Sequence, residues 1–128
     1  MRTPWMLAGA AAVLLFSGAI ATAGPWEDGM VAYNRGDYAP AMKLFRPLAQ
    51  TGNAKAQNVL GVMYHKGEGV ARSSVRAFMW FSLAAKKGDA SAKASLQEMS
   101  KEMKPAEIAQ AKLMMVACEE SNYRDCEY

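Results

Sequence analysis

A chain of 128 residues with a formal charge of +3, 52% hydrophobic residues and one histidine has room for a single small domain and little else. Its Lys and Arg are scattered among Asp and Glu, so no basic stripe exists and nucleic acid is excluded as a partner.

In chain order, Arg2 is the one charge before the run WMLAGAAAVLLFSGAIATA. A basic start, an apolar centre and small residues at Ala21 and Ala23 are the parts of a secretory signal peptide over 1–23, with cleavage between Ala23 and Gly24 and a mature domain over 24–128. An uncleaved anchor is the alternative, since the run approaches the ~20 apolar residues that span a bilayer. Its Ala and Gly content and its cleavage site favour removal, leaving no stable membrane span. No Cys follows the run, so a lipid-modified start is not supported, and loss of Arg2 lowers the charge from +3 to +2.

Apolar residues then recur at three- and four-residue steps, with Gly at the interruptions, which predicts six helices. The first covers about Trp26 to Asn34 and stops at Arg35-Gly36. The second covers Tyr38 to Gln50, with Asp37 as N-cap and Pro40 in the first turn, and Pro47 should kink it or make it locally irregular. The third covers Ala54 to His65. In the turn HKGEGVARSS, Gly67 and Gly69 allow positive φ, Val70 tucks inward, and Ser73 or Ser74 caps the next helix. The fourth covers Ser74 to Lys87, the fifth Ala90 to Lys101, and the sixth runs from Pro105 to Cys118. The tail 119–128 holds Cys126. An exported chain meets an oxidising compartment, so Cys118 and Cys126 are expected to form a disulfide, stabilising the fold by about 2.5 kcal/mol in the loop-entropy account. Without CxxC spacing, the pair reads as a staple and not a redox centre.

The chain matches itself at an offset of 36 residues, through Ala41 and Ala77, Phe45 and Phe81, Ala49 and Ala85, Gly52 and Gly88, Ala54 and Ala90, Ala56 and Ala92, and Leu60 and Leu96. The units are about 26–52, 53–88 and 89–118. Two helices packed back to back need a small residue at the contact. The face Leu60, Gly61, Tyr64 should therefore meet the face Ala77, Trp80, Phe81, Ala84, Ala85.

The string Ala54 to Gly88 carries spaced Ala54 and Ala56, then Leu60-Gly61, Tyr64, GxGV from Gly67 to Val70, Ala77, Trp80-Phe81 and Ala84-Ala85. In these features it resembles the Sel-one-like repeats, relatives of the tetratricopeptide repeats, in their secreted bacterial form. Ala71 stands where the family often has Pro, and Ser73 where it often has Asp. The resemblance implies an all-α fold, a short right-handed α-solenoid. It also implies adaptor or scaffold work through the concave surface, on another exported or envelope protein, in the periplasm or medium, with no cofactor. Some cysteine-rich relatives resemble penicillin-binding or weakly β-lactam-hydrolysing proteins and carry a cysteine pair in every repeat. Here one pair exists and no SxxK motif does. A purely structural module stacking end to end is a further alternative, and the oligomeric state stays open.

No catalytic set emerges. His65 alone would have to serve a nucleophile, one His and two bridged Cys make no usual zinc set, and adjacent Glu119 and Glu120 point apart on a helix. The eight methionines beyond the signal, Met30, Met42, Met63, Met79, Met99, Met103, Met114 and Met115, read as core filling before they read as an adaptable binding surface.

In a solenoid the first helix of each pair lines the concave side. That selects Asn58, Val62 and His65 on the third helix, with Lys55 and Lys66 at its margins. Aligning Tyr33-Gly36 with Tyr64-Gly67 adds Glu27, Val31 and Asn34, with Arg35 at the edge. The 36-residue offset adds Ala94, Glu98 and Lys101.

Overall fold

The computed structural model describes residues 23–127; the proposed signal segment, apart from Ala23 at its cleavage point, lies outside the described residues. The described chain is all-α, with no strand among the described residues. Its helices are α1 (Pro25–Asn34), α2 (Tyr38–Gln50), α3 (Ala54–Lys66), α4 (Ser74–Lys86), α5 (Ala90–Glu102) and α6 (Pro105–Glu120).

The boundaries follow from local chemistry that repeats along the chain. Asn53 and Asp89, also 36 residues apart, cap α3 and α5 by accepting from the backbone N–H of Ala56 at 2.9 Å and of Ala92 at 2.8 Å. Before each cap stands a glycine in the left-handed region, Gly52 at φ +86° and Gly88 at φ +98°. Ser73 caps α4, accepting from Arg76 N–H at 3.2 Å. Asp37 stands at the N-cap of α2 as expected, without a capping hydrogen bond from its side chain. One sequence expectation needs correction: α2 continues unbroken through Pro47 to Gln50, with no irregular turn there. Pro47 lies in the last turn with its ring exposed, so the one hydrogen bond it removes costs the helix little there.

Successive helices pack on one another, α1 on α2, α2 on α3, α3 on α4 and α4 on α5. The α3–α4 contact is the tightest and joins the two predicted faces. Leu60, Gly61 and Tyr64 are buried against Ala77, Trp80, Phe81 and Ala84, with Ala85 at the edge. A Cβ on Gly61 would lie 2.6 Å from the Phe81 ring, so glycine lets the ring lie flat on the α3 backbone. The same device recurs in the first pair, where Gly29 faces Phe45 at the same 2.6 Å. Phe45 in turn meets the Trp26 ring at 5.3 Å between centroids.

The third pair breaks the pattern. α6 leaves α5 and lies on α4, so α4 is covered by α3, α5 and α6. Trp80, Phe81, Met79 and Leu83 of α4 are consequently all buried, and this helix is the centre of the core. Cys118, at the end of α6, and Cys126 are buried and joined by a disulfide, with Cα atoms 4.5 Å apart. No helix of the described residues is long and apolar enough to cross a membrane.

Candidate functional site

The turn after α3 governs which faces remain open. Gly67 and Gly69 take φ of +72° and +73°, folding the loop back so that Ser73 N–H donates to the Tyr64 carbonyl at 2.9 Å. This places Gly69 against the Tyr38 backbone, where a Cβ would come within 2.8 Å of the carbonyl oxygen. Beside it, Tyr33 donates its hydroxyl hydrogen to Glu68 at 2.9 Å and packs edge-on against Tyr38 at 5.3 Å. Burial first, and then Glu68, push the Tyr33 phenol up to about 12. The hydrogen bond to Glu68 also raises Tyr38.

On the other side of α3 a groove of about 400 Å³ opens between α3 and α5, with α4 beneath. Val62, His65 and Lys66 form one wall, Ala94, Ser95, Glu98, Met99 and Glu102 the other, and Phe81 contributes from α4. A smaller recess of about 190 Å³ shares His65, Met99 and Glu102 and is completed by Arg72, Ser74, Met103 and Glu107. The two spaces adjoin at these shared residues. Phe81 forms the groove's floor, and the walls add apolar surface through Val62, Ala94 and Met99. Lys66 and Arg72 stand along the side built by α3 and its turn, and Glu98, Glu102 and Glu107 along the side built by α5 and α6. Glu98 is held by Lys101 at 2.9 Å, an exposed pair of little energetic weight. His65 is half-buried, and its Nδ1 has no hydrogen-bond partner.

Of the residues selected from sequence, Val62, His65, Lys66, Ala94 and Glu98 come together around this groove, and Lys101 reaches it through Glu98. Lys55 is exposed on the first turn of α3, outside the groove, and Asn58 is half-buried with its Oδ1 unpartnered. Glu27, Val31, Asn34 and Arg35 are exposed on α1 and do not line it. The α3–α4 turn packs against the end of α1 and the start of α2 through Glu68 and Gly69, which separates the α1 residues from the others. Sequence reasoning missed Phe81, Met99 and Glu102. Phe81 was assigned wholly to the helix contact, although its ring also lines the groove. The offset that gave Ala94 and Glu98 would have reached Glu102 one turn further on. Among the described residues no three His, Cys, Asp or Glu side chains gather as a metal set.

The glycine-to-ring packing, the GxGV turn and the caps at a 36-residue spacing all fall within or beside one segment, and residues 54–89 match the family model of the Sel1 repeat. The chain carries a Sel1 repeat. Its two helices, α3 and α4, supply one wall and the base of the groove, while α5, which begins at Ala90 just after the match ends, supplies the opposite wall. A comparison with curated proteins gives no match. Sel1 repeats form helical modules for protein–protein interaction, and a protein partner follows for this chain at that level.

Proposed function

We propose that this chain is an exported adaptor that grips a segment of another envelope or secreted protein in the groove between α3 and α5. The observation that carries this reading is the groove itself. An apolar floor accepts one or two anchor side chains, and opposed rims of Lys66 and Arg72 against Glu98, Glu102 and Glu107 orient the segment lying over them. The groove's volume of about 400 Å³ suits a few side chains of a helical turn or a short extended stretch. Interaction of this size gives modest affinity for a single partner. Export is supported by the signal-like run before Gly24 and by the Cys118–Cys126 disulfide, which an oxidising compartment preserves. The absence of a usable nucleophile-and-base set in the sequence favours binding over catalysis.

Ala94 is exposed, so Ala94→Arg fills the groove without touching the core. Affinity capture from an envelope extract with the tagged full chain, followed by mass spectrometry, should recover a partner whose yield falls about tenfold with Ala94→Arg, the loss of one buried anchor contact. Equal recovery by the variant would remove the groove from the binding surface.

A second reading, self-association, is favoured by one observation. Leu113 and Val116 are exposed on α6 at 73% and 47%, side by side on the helix face turned away from α4. Light scattering over a concentration series decides it, with a mass that rises from monomer to dimer supporting this reading and a constant monomer mass rejecting it.

A further inference from the structure

The chain does not end at α6. Asn122 and Tyr123 take left-handed φ of +56° and +63°, Tyr123 N–H donates to the Cys118 carbonyl at 2.8 Å, and the segment turns back on itself to bring Cys126 onto Cys118. Tyr123 then lies under the Lys87 ammonium, 4.9 Å from the ring centre. Beyond the disulfide, Glu127 reaches a slot built from three helices. Its carboxylate accepts the Tyr64 hydroxyl hydrogen bond from α3 and pairs with Arg46 Nη2 of α2 at 3.0 Å. Its main-chain carbonyl accepts from Arg76 Nη2 at the start of α4, at 3.2 Å. Arg76 in turn stacks over the Tyr64 ring at 5.9 Å. One glutamate is thus read on both its side chain and its backbone.

Two atoms of this cluster, Arg46 Nε and Glu127 Oε1, are buried without a partner, so the slot holds a donor that the tail's glutamate leaves unused. A planar guanidinium can hold a carboxylate through two parallel bonds, and here only one is made. None of Arg46, Tyr64 and Arg76 lines the groove between α3 and α5.

We propose that Arg46, Tyr64 and Arg76 form a second recognition site, for an extended acidic peptide with a glutamate, and that the chain fills this site with its own tail as long as Cys118 and Cys126 are paired. The occupant in trans is a glutamate-bearing segment of a partner protein, entering once a dithiol reductant has exchanged with the Cys118–Cys126 disulfide, leaving two protein thiols and its own disulfide, so that the tail is no longer tethered. The tail itself is the template for that ligand: a carboxylate for Arg46 and Tyr64, and an exposed peptide carbonyl for Arg76.

The test uses the full chain and a fluorescein-labelled peptide of residues 121–128 carrying Cys126→Ser, followed by anisotropy. Cys126→Ser with Glu127→Gln unlocks and empties the slot, and this variant should bind the peptide about tenfold more tightly than the oxidised wild type. Adding Arg46→Gln to the protein, or Glu127→Gln to the peptide, should remove that gain. Equal binding to the unlocked variant and the oxidised wild type, with helical circular dichroism retained, overturns the proposal, as does a gain that survives Arg46→Gln. Glu127→Gln alone keeps the disulfide and guards against loss of fold. Its amide exchange over residues 122–127 should rise about fivefold with the helices unchanged, and unchanged exchange there also overturns the proposal.

Discussion

A side chain at position 61 meets the Phe81 ring at 2.6 Å from its first carbon, and that ring is buried in the α3–α4 contact. Two effects oppose each other at this site. Replacing glycine in a helix gains about 1 kcal/mol of helix propensity, whereas overpacking a filled core costs about 1–3 kcal/mol. For Gly61→Val the branched side chain forfeits most of the propensity gain, so stability should fall by about 2 kcal/mol, read as a lower urea midpoint at unchanged slope. The small residues were legible in the sequence because close packing of two helices permits little else, and Leu60, Gly61, Tyr64, Ala77 and Phe81 fell where the spacing put them. The methionines follow the same logic. Met42, Met63, Met79 and Met99 are buried, and the other four of the described chain pack on the core's edge. Asp37 takes the N-cap position that the sequence assigns to it, but its ψ of 69° departs from the extended backbone of a bonded cap, and its side chain makes no capping hydrogen bond.

Among the elements, the junctions between helices are fixed by tyrosines. Tyr33 joins α1 to the turn after α3 through Glu68, and Tyr64 joins α3 to the tail through Glu127. Both phenols are pushed up to about 12, Tyr64 by burial first and by Glu127 second. Because the folded values lie above the ordinary 10, the folded state holds these protons after the unfolded chain has lost them. The stabilisation is therefore complete below pH 10 and is lost as pH rises from 10 towards 12. Absorbance of phenolate against pH should show Tyr33 and Tyr64 ionising late, with Tyr38 also above the ordinary value, and the urea midpoint should decline over the same interval. Early ionisation of all the tyrosines would contradict these placements. Helix ends were readable to within one or two residues because glycine at positive φ follows α1 to α4 and a capping side chain starts α3, α4 and α5. The position of α6 was not. Ile108, Leu113, Met114, Met115 and Val116 spread apolar character around the helix, so no single face announces which neighbour it chooses. The 36-residue offset predicts α5, yet α4 offers the larger apolar surface through Phe78, Trp80 and Leu83, and α6 packs there.

At the scale of the molecule, half of the candidate groove could be read from sequence, since repeat spacing carries a face from one unit to the next. The half drawn from α1 could not, because the loop that interposes Glu68 and Gly69 acts across units and leaves no periodic trace. The tail was equally invisible beyond its cysteines. In an array of repeats each unit touches its neighbours alone, so the ends can peel away while the middle stays folded. Here Glu127 reaches back past α4 and α3 to Arg46 of α2, which makes the last residues of the chain a neighbour of the first pair. Peeling from the C-terminal end must break that clasp first, and with it the core around α4. The oxidised protein should therefore melt in a single calorimetric step, with van't Hoff and calorimetric enthalpies equal. Cys126→Ser should split the melt, α5 and α6 loosening ahead of the rest. What looks like a modular string would then behave as a loop, whose cooperativity resides in its final ten residues.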